Sequence, residues 1–170
     1  MIAWEQLSGW FRSKKPVDVP VLRQSITVMV FTDAPNAAEP GKLTAAHSAA
    51  LDAFRKIPPG RRRMWSAMVF EDFRRAIKSG QCELRSDDVP KRCRRAAQVW
   101  DLIEWSEVVV LEQGPNGDRF ILVHGHPDWR IEHGVQLVLK NEQLLWVGRA
   151  DQDLFSRGNW AGDYVPRVRW

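Results

Sequence analysis

The chain contains 170 residues, of which 44% are hydrophobic, and its 25 Lys and Arg against 21 Asp and Glu give a net charge of +4. This hydrophobic fraction argues against a disordered chain, and two cysteines are too few for a disulfide-stabilised scaffold. A mean hydropathy of −0.38, without a long uncharged apolar stretch, argues against a membrane-spanning helix. The composition also includes nine Trp and one Tyr, so the positions of the tryptophans are informative.

The length predicts a single domain over residues 1–170, because domains usually contain about 100–200 residues. The first residues, MIAWEQ, have no basic stretch followed by an apolar run. We therefore expect no secretory signal peptide and a cytoplasmic protein without a membrane partner. The amino-terminal segment (1–24) and the tail (148–170) are expected to pack on the body, because their aromatic side chains would otherwise be exposed.

The amino-terminal third predicts a helix and then strands. In residues 1–15, Trp4, Leu7 and Phe11 have helical spacing. Residues 25–31 read SITVMVF, a run rich in β-branched side chains that predicts a strand. Residues 17–22 are expected to pair with it as an edge strand, since Pro16 and Pro20 limit backbone pairing there.

Three helices are predicted next. The first begins after Thr44, a suitable N-cap, and ends before Pro58-Pro59-Gly60. The second covers about 61–79, and Gly80 suits the left-handed position that ends a helix. The third begins near residues 87–88, with an inward stripe that consists of Val89, Cys93, Ala96, Trp100 and Ile103.

Four strands complete the predicted order. Residues 108–112 and 119–124 form a hairpin around an Asn-Gly turn, and residues 134–140 and 143–147 form a second hairpin. Runs of strands separated from runs of helices are typical of α+β proteins. We therefore predict an antiparallel sheet of about five strands, in the order strand, three helices, four strands, covered on one face by helices.

Three sequence blocks resemble an uncharacterised family of bacterial cytoplasmic domains. They are the Leu43–His47 stretch LTAAH, the stretch WRIEHGV at 129–135 and the stretch WVGRAD at 146–151. Some members of that family occur near polymorphic toxin systems and look like immunity proteins. The resemblance implies an α+β fold and no established activity, and it supplies no catalytic residues.

A histidine-containing segment after the first hairpin suggests a metal site as an alternative. Imidazole and carboxylate groups bind zinc and can activate water, and alternate residues of a strand point to the same side. The candidate ligands are His124, His126, Asp128 and His133. A polar loop without a metal explains the same residues, and no cofactor is predicted.

A basic segment suggests a binding surface instead. Residues 61–95 contain eleven Lys and Arg against five Asp and Glu, a net charge of +6 that exceeds the whole chain's +4. Such a surface attracts an acidic protein or a nucleic acid, and exposed Trp often anchors partners. The candidate binding residues are Arg61, Arg62, Arg63, Arg74, Arg75, Arg92, Arg94, Arg95, Trp160 and Trp170.

These observations favour a non-enzymatic, immunity-like domain that binds a protein, and the basic segment favours an acidic one. Two alternatives stay open. One is a small metal-dependent enzyme that uses the segment 124–133, and the other is nucleic-acid binding through the helices of residues 61–95. No nucleophile elbow or phosphate-binding loop is present in the sequence, and the sequence leaves the oligomeric state open.

Overall fold

The computed structural model describes residues 2–7, 10–32, 42–80, 82–111 and 117–150. Three α-helices are present in this part of the chain: α1 (Ala45–Arg55), α2 (Arg62–Ser79) and the short α3 (Val89–Arg92). Three 3₁₀ helices cover Pro20–Leu22, Pro59–Arg61 and Ala96–Leu102. The strands are β1 (Trp4–Leu7), β2 (Trp10–Ser13), β3 (Val17–Val19), β4 (Gln24–Phe31), β5 (Ile103–Val110), β6 (Phe120–Pro127), β7 (Val135–Lys140) and β8 (Gln143–Gly148).

The eight strands form one sheet in the order β1-β2-β4-β5-β6-β7-β8, with β3 paired to β4. All neighbours are antiparallel except β4 and β5, which are parallel. The helices lie between β4 and β5 in the chain, and such a crossover returns the chain in the same direction. The prediction of an α+β fold with a mainly antiparallel sheet is confirmed, but the predicted count of about five strands is wrong.

The amino-terminal segment forms a hairpin, so the helix predicted for residues 1–15 is wrong. Trp4 lies opposite Ser13, and Leu7 lies opposite Trp10. The Ser13 hydroxyl also accepts a hydrogen bond of 3.0 Å from the Val28 backbone N–H. Pairing with β4 satisfies backbone hydrogen-bonding groups of this segment. The helical spacing of three apolar residues could not reveal this pairing, because β4 is a separate segment of the chain. The predicted pairing of residues 17–22 with the next strand is confirmed for β3.

The predicted third helix is also wrong, although its stripe marks buried residues. Val89, Cys93 and Trp100 are at most 5% exposed, yet α3 ends at Arg92 and the chain continues as a 3₁₀ helix. The Gln98 side-chain oxygen accepts hydrogen bonds of 3.0 Å from the backbone N–H groups of residues 94 and 95. These bonds replace helical carbonyl partners and allow the chain to leave the helix.

Helices pack on one face of the sheet. A large core there joins Phe54 of α1 and Val69 of α2 to strand residues such as Val108. On the other face, a smaller cluster is formed by strand residues and by Leu111 just after β5: Trp10, Met29, Phe31, Val109, Leu111, Phe120, Leu122, Val138 and Trp146. Among the described helices, none has both the length and the hydropathy needed to span a membrane.

Candidate functional site

The arginines of the predicted basic segment fall into two groups, those that pair with carboxylates of the same chain and those that do not. Arg85 and Arg92 both bind the Asp128 carboxylate, at 3.3 Å and 3.2 Å, and the Asp128 side chain is 10% exposed. The Arg85 backbone N–H also donates to the Asp128 carbonyl at 2.8 Å. These two arginines are therefore committed to holding the chain just after β6, and Arg92 is less available to a partner than the sequence suggested.

The β6–β7 loop (residues 128–134) is buried where it meets α2. Arg130 forms a nearly buried ion pair with Asp72 at 3.0 Å, and both side chains are at most 8% exposed. Trp129 is fully buried and packs edge-on against Phe73, with ring centroids 5.4 Å apart. The loop ends at Gly134, whose φ of 64° favours glycine. The distinctive block WRIEHGV thus has an architectural role.

The candidate metal ligands are not gathered in one place. His124 lies between Glu107, at 2.8 Å from its Nδ1, and Gln136, at 2.6 Å from its Nε2. His126 is exposed on the same face of β6 as His124. Asp128 is held by two arginines, and the Arg149 guanidinium lies 2.9 Å from the His133 Nδ1. His124 and His126 thus share the surroundings of Glu107, whereas Asp128 and His133 each lie in a separate polar environment.

A different set of groups comes close together at the β6–β7 loop. Possible ligand atoms of Glu83, Glu132 and His133 lie within 4.8 Å of one another. The sequence did not point to Glu83, which is distant in the chain from the other two. The guanidinium of Arg149 beside His133 adds positive charge where a cation would bind, so this cluster supports no metal assignment.

A second group of arginines surrounds a cleft of about 500 Å³ at the start of α2. We call it the arginine cleft and define it by Arg23, Arg62, Arg63, Ser66, Trp100 and Asp101, all of which line it. The Arg62 guanidinium lies 4.5 Å above the centroid of the Trp100 ring. Such cation–π contacts are attractive and fix the plane of the guanidinium.

Hydrogen bonds hold this stack in position. The Trp100 indole N–H donates to the Ser66 hydroxyl at 2.8 Å. The Ser66 hydroxyl in turn donates to the Arg62 backbone carbonyl at 2.7 Å, one turn earlier in α2. The side chain and the backbone of Arg62 are therefore linked through the indole, and the guanidinium is oriented before any ligand arrives.

Positive charge in the cleft is incompletely neutralised. The pKa of Arg62 is lowered from its ordinary value, first by burial and then by the positive charge of Arg23, with a smaller opposing effect of Asp101. The Nε atom of Arg62 is buried and has no hydrogen-bond partner. Burial of this donor belongs to the same desolvation that lowers the pKa of Arg62.

The remaining predicted arginines face solvent. Arg63, Arg74, Arg75, Arg94 and Arg95 are exposed, and Arg61 is partly exposed. Across the described ranges, none of these six forms an ion pair with another described residue. We call these six arginines together with Arg62 the basic surface. Trp160 and Trp170, also predicted to bind, lie outside the described residues, as does the tail from residue 151.

The sequence missed part of the cleft. Arg23 precedes α2 by almost 40 positions. It lies in the cleft because the 3₁₀ helix Pro20–Leu22 packs against the 3₁₀ helix Pro59–Arg61. Trp100 was expected only in the core, and it is indeed 5% exposed, but its ring also supports Arg62. No local spacing pattern connects these residues, because only packing of separate elements brings them together.

The structure defines an α+β domain with a mostly antiparallel sheet and an arginine-lined cleft at the start of α2. The chain belongs to a family described as a domain of unknown function (DUF6985), whose model matches residues 2–154. This match includes every helix and strand described above. No curated protein and no solved structure matches the chain.

Proposed function

We propose that this protein is a non-enzymatic binding domain that holds an acidic protein on its basic surface. The observation that carries the proposal is the difference between the arginines. Those of the β6–β7 loop region are paired with carboxylates, whereas the six solvent-facing arginines form no ion pair within the described residues. Unpaired arginines attract acidic partners over long distances and are frequent in binding hot spots.

A toxin domain is the kind of partner that the resemblance to immunity-like proteins suggests. An immunity protein acts by occupying a surface of its toxin, so it needs no catalytic groups. The proposal therefore requires a complex that is stable at moderate salt and contains one defined protein. A protein partner in the cytoplasm belongs to the same proposal.

The test is affinity capture from the native organism with the full chain. The wild type is compared with the double variant Arg74→Glu with Arg75→Glu, which reverses two exposed charges of the basic surface. The matched control is Lys14→Glu with Lys15→Glu, which makes the same change in net charge at two exposed lysines before β3. We expect the wild type and the lysine control to capture one acidic protein that the arginine variant loses.

Two outcomes would contradict the proposal. Capture of the same protein by the arginine variant would show that the basic surface is not the contact. Capture of nucleic acid alone, with binding that nuclease abolishes and that falls steeply with salt, would favour the nucleic-acid alternative.

A further inference from the structure

We infer that the arginine cleft is the anchor point of this binding surface and takes a glutamate or aspartate carboxylate of the partner. This inference rests on the proposed function and adds the chemistry of one contact. The cleft is lined by three arginines, Arg23, Arg62 and Arg63, and by a single acidic residue, Asp101. Arginine presents planar pairs of N–H donors that match a carboxylate.

Preorganisation is the first argument for a ligand in the cleft. Arg62 is held by the Trp100 ring, and that ring is held by Ser66. A side chain fixed in this way loses little conformational freedom when an anion binds.

Backbone strain at Arg23 is the second argument. Arg23 has a φ of 56° and a ψ of 37°, the left-handed region that glycine or asparagine usually occupies. A non-glycine residue in this conformation costs free energy, and such positions cluster at binding sites. Arginine here places a positive charge beside Arg62, which already lacks a partner for its Nε.

The walls of the cleft favour a carboxylate on a peptide over a phosphate. Pro59 and Ala97 are exposed apolar surfaces that fit the methylene groups of a glutamate side chain. Asp101 offsets one of the three positive charges, so the choice of a carboxylate over a phosphate rests on these apolar walls. The α2 backbone also begins here, and the amino end of a helix attracts anions.

The probe is a fluorescent peptide of alternating glutamate and serine, and binding to the full chain is followed by anisotropy at about 50 mM salt. We expect saturable binding that weakens about tenfold in Arg62→Gln, the effect of one charge-assisted hydrogen bond. Arg63→Gln is expected to act in the same direction. The matched control, Lys14→Gln, removes one positive charge from an exposed site outside both the cleft and the basic surface and is expected to change the affinity by less than about twofold.

Arg23→Gly separates binding from folding. Glycine accepts the left-handed conformation, so this variant is expected to be at least as stable as the wild type while it binds the peptide more weakly. If Arg62→Gln fails to fold, this variant still decides the question. No saturable peptide binding by the wild type, or equal losses of affinity in Arg23→Gly and Lys14→Gln, would overturn the inference.

Two further results separate this inference from the proposed function. A single-stranded RNA that binds in the cleft more tightly than the peptide would assign a phosphate and overturn the carboxylate. A partner captured by Arg62→Gln as well as by the wild type, but lost by the double variant at residues 74 and 75, would overturn the cleft and leave the protein-binding proposal intact.

Discussion

Arginine residues in the β6–β7 loop region and in the arginine cleft have opposite surroundings. In the loop region, Arg130 meets a buried carboxylate of α2, and Arg85 and Arg92 share Asp128. In the cleft, Arg62 lies on an indole ring, beside another guanidinium, with an unpartnered Nε. The first arrangement fixes a loop to a helix. The second places a guanidinium that forms no ion pair within the described residues at the wall of a cleft.

This difference explains why some arginines of the basic segment stabilise the fold through ion pairs, whereas others keep a charge that a partner could bind. A buried charge without its partner is strongly destabilising, so an arginine in the interior remains only when a carboxylate is provided. Close like charges near the surface cost less, and they persist where binding benefits from them. The net charge of +6 in residues 61–95 therefore overstates the charge that is open to a partner.

The largest expected effect is the loss of the buried pair. Asp72→Ala leaves the Arg130 charge in a nearly dry environment, and we expect the free energy of unfolding to fall by about 3–5 kcal/mol. Arg63→Gln in the cleft is expected to change it by less than about 0.5 kcal/mol. Urea denaturation measures both.

The double variant Asp72→Leu with Arg130→Met is the control for that experiment. It removes both charges and retains bulk, so we expect it to recover most of the lost stability. A loss of less than about 1 kcal/mol in Asp72→Ala would contradict the structural role of the pair.

Two glycines extend the comparison to the backbone. An alanine at Gly134 would hold a left-handed φ, and its Cβ would lie 3.1 Å from both the Ala150 Cβ and the Gly125 carbonyl oxygen. We expect Gly134→Ala to cost about 1–3 kcal/mol in thermal or urea unfolding. Gly60 lines the cleft, and a Cβ added there would meet no atom within 4 Å, so Gly60→Ala is expected to be neutral within about 1 kcal/mol. Equal losses of stability in Gly134→Ala and Gly60→Ala would contradict the conclusion that the backbone is more tightly constrained at the β6–β7 loop than at the cleft.

The Glu107–His124 pair on the opposite face of the sheet is an intermediate case, because both side chains are partly exposed. The hydrogen bond from His124 lowers the pKa of Glu107 below its ordinary value of 4.5. The folded state therefore releases this proton more readily than the unfolded state. The pair stabilises the fold above pH 4.5, and this contribution is lost as the pH falls through the folded-state pKa.

Glu107→Gln tests this dependence. We expect the variant to be less stable than the wild type near neutral pH and to lose less stability on acidification. The measurement is the free energy of unfolding between about pH 3 and pH 7. An unchanged slope below pH 4.5 in the variant would contradict the assigned role of the pair.

The smallest effect concerns the thiols, since it changes reactivity and not stability. In the chain, Cys93 lies between Arg92, which binds Asp128 of the β6–β7 loop, and Ala96, which lines the cleft. Burial, assisted by the nearby Asp101 charge, raises the pKa of Cys93 to about 11. In single-cysteine variants at about pH 8, we expect Cys93 to react with a thiol reagent at least about tenfold more slowly than the partly exposed Cys82. Equal rates would show that the segment between the two regions opens readily.

Local patterns in the sequence predicted several elements well. The 61–79 helix and its end at Gly80 agree with α2, whose C-cap glycine has a φ of 66°. Thr44 is the N-cap of α1 and forms a capping box with His47. The hairpin of β7 and β8 has the predicted turn at Asn141 and Glu142, both with positive φ. Each of these features depends on residues close together in the chain.

The residues of the arginine cleft were predicted less completely. The sequence identified Arg62 and Arg63 by charge, but gave no means to separate them from Arg92, which is bound to Asp128. That distinction depends on carboxylates elsewhere in the chain. The metal hypothesis failed to identify Glu83 for the same reason, because the nearness of Glu83 to His133 is created by the loop packing.

The sequence by itself determined the α+β class, the main core stripes and the concentration of basic residues, because periodicity and composition are local properties. Tertiary structure decided that residues 4–13 form a hairpin, that β4 and β5 are parallel, and that the predicted third helix is broken. It also decided which arginines are neutralised. These outcomes depend on hydrogen bonds and charges between distant segments, whose free energies exceed the weak preferences of a short stretch of chain.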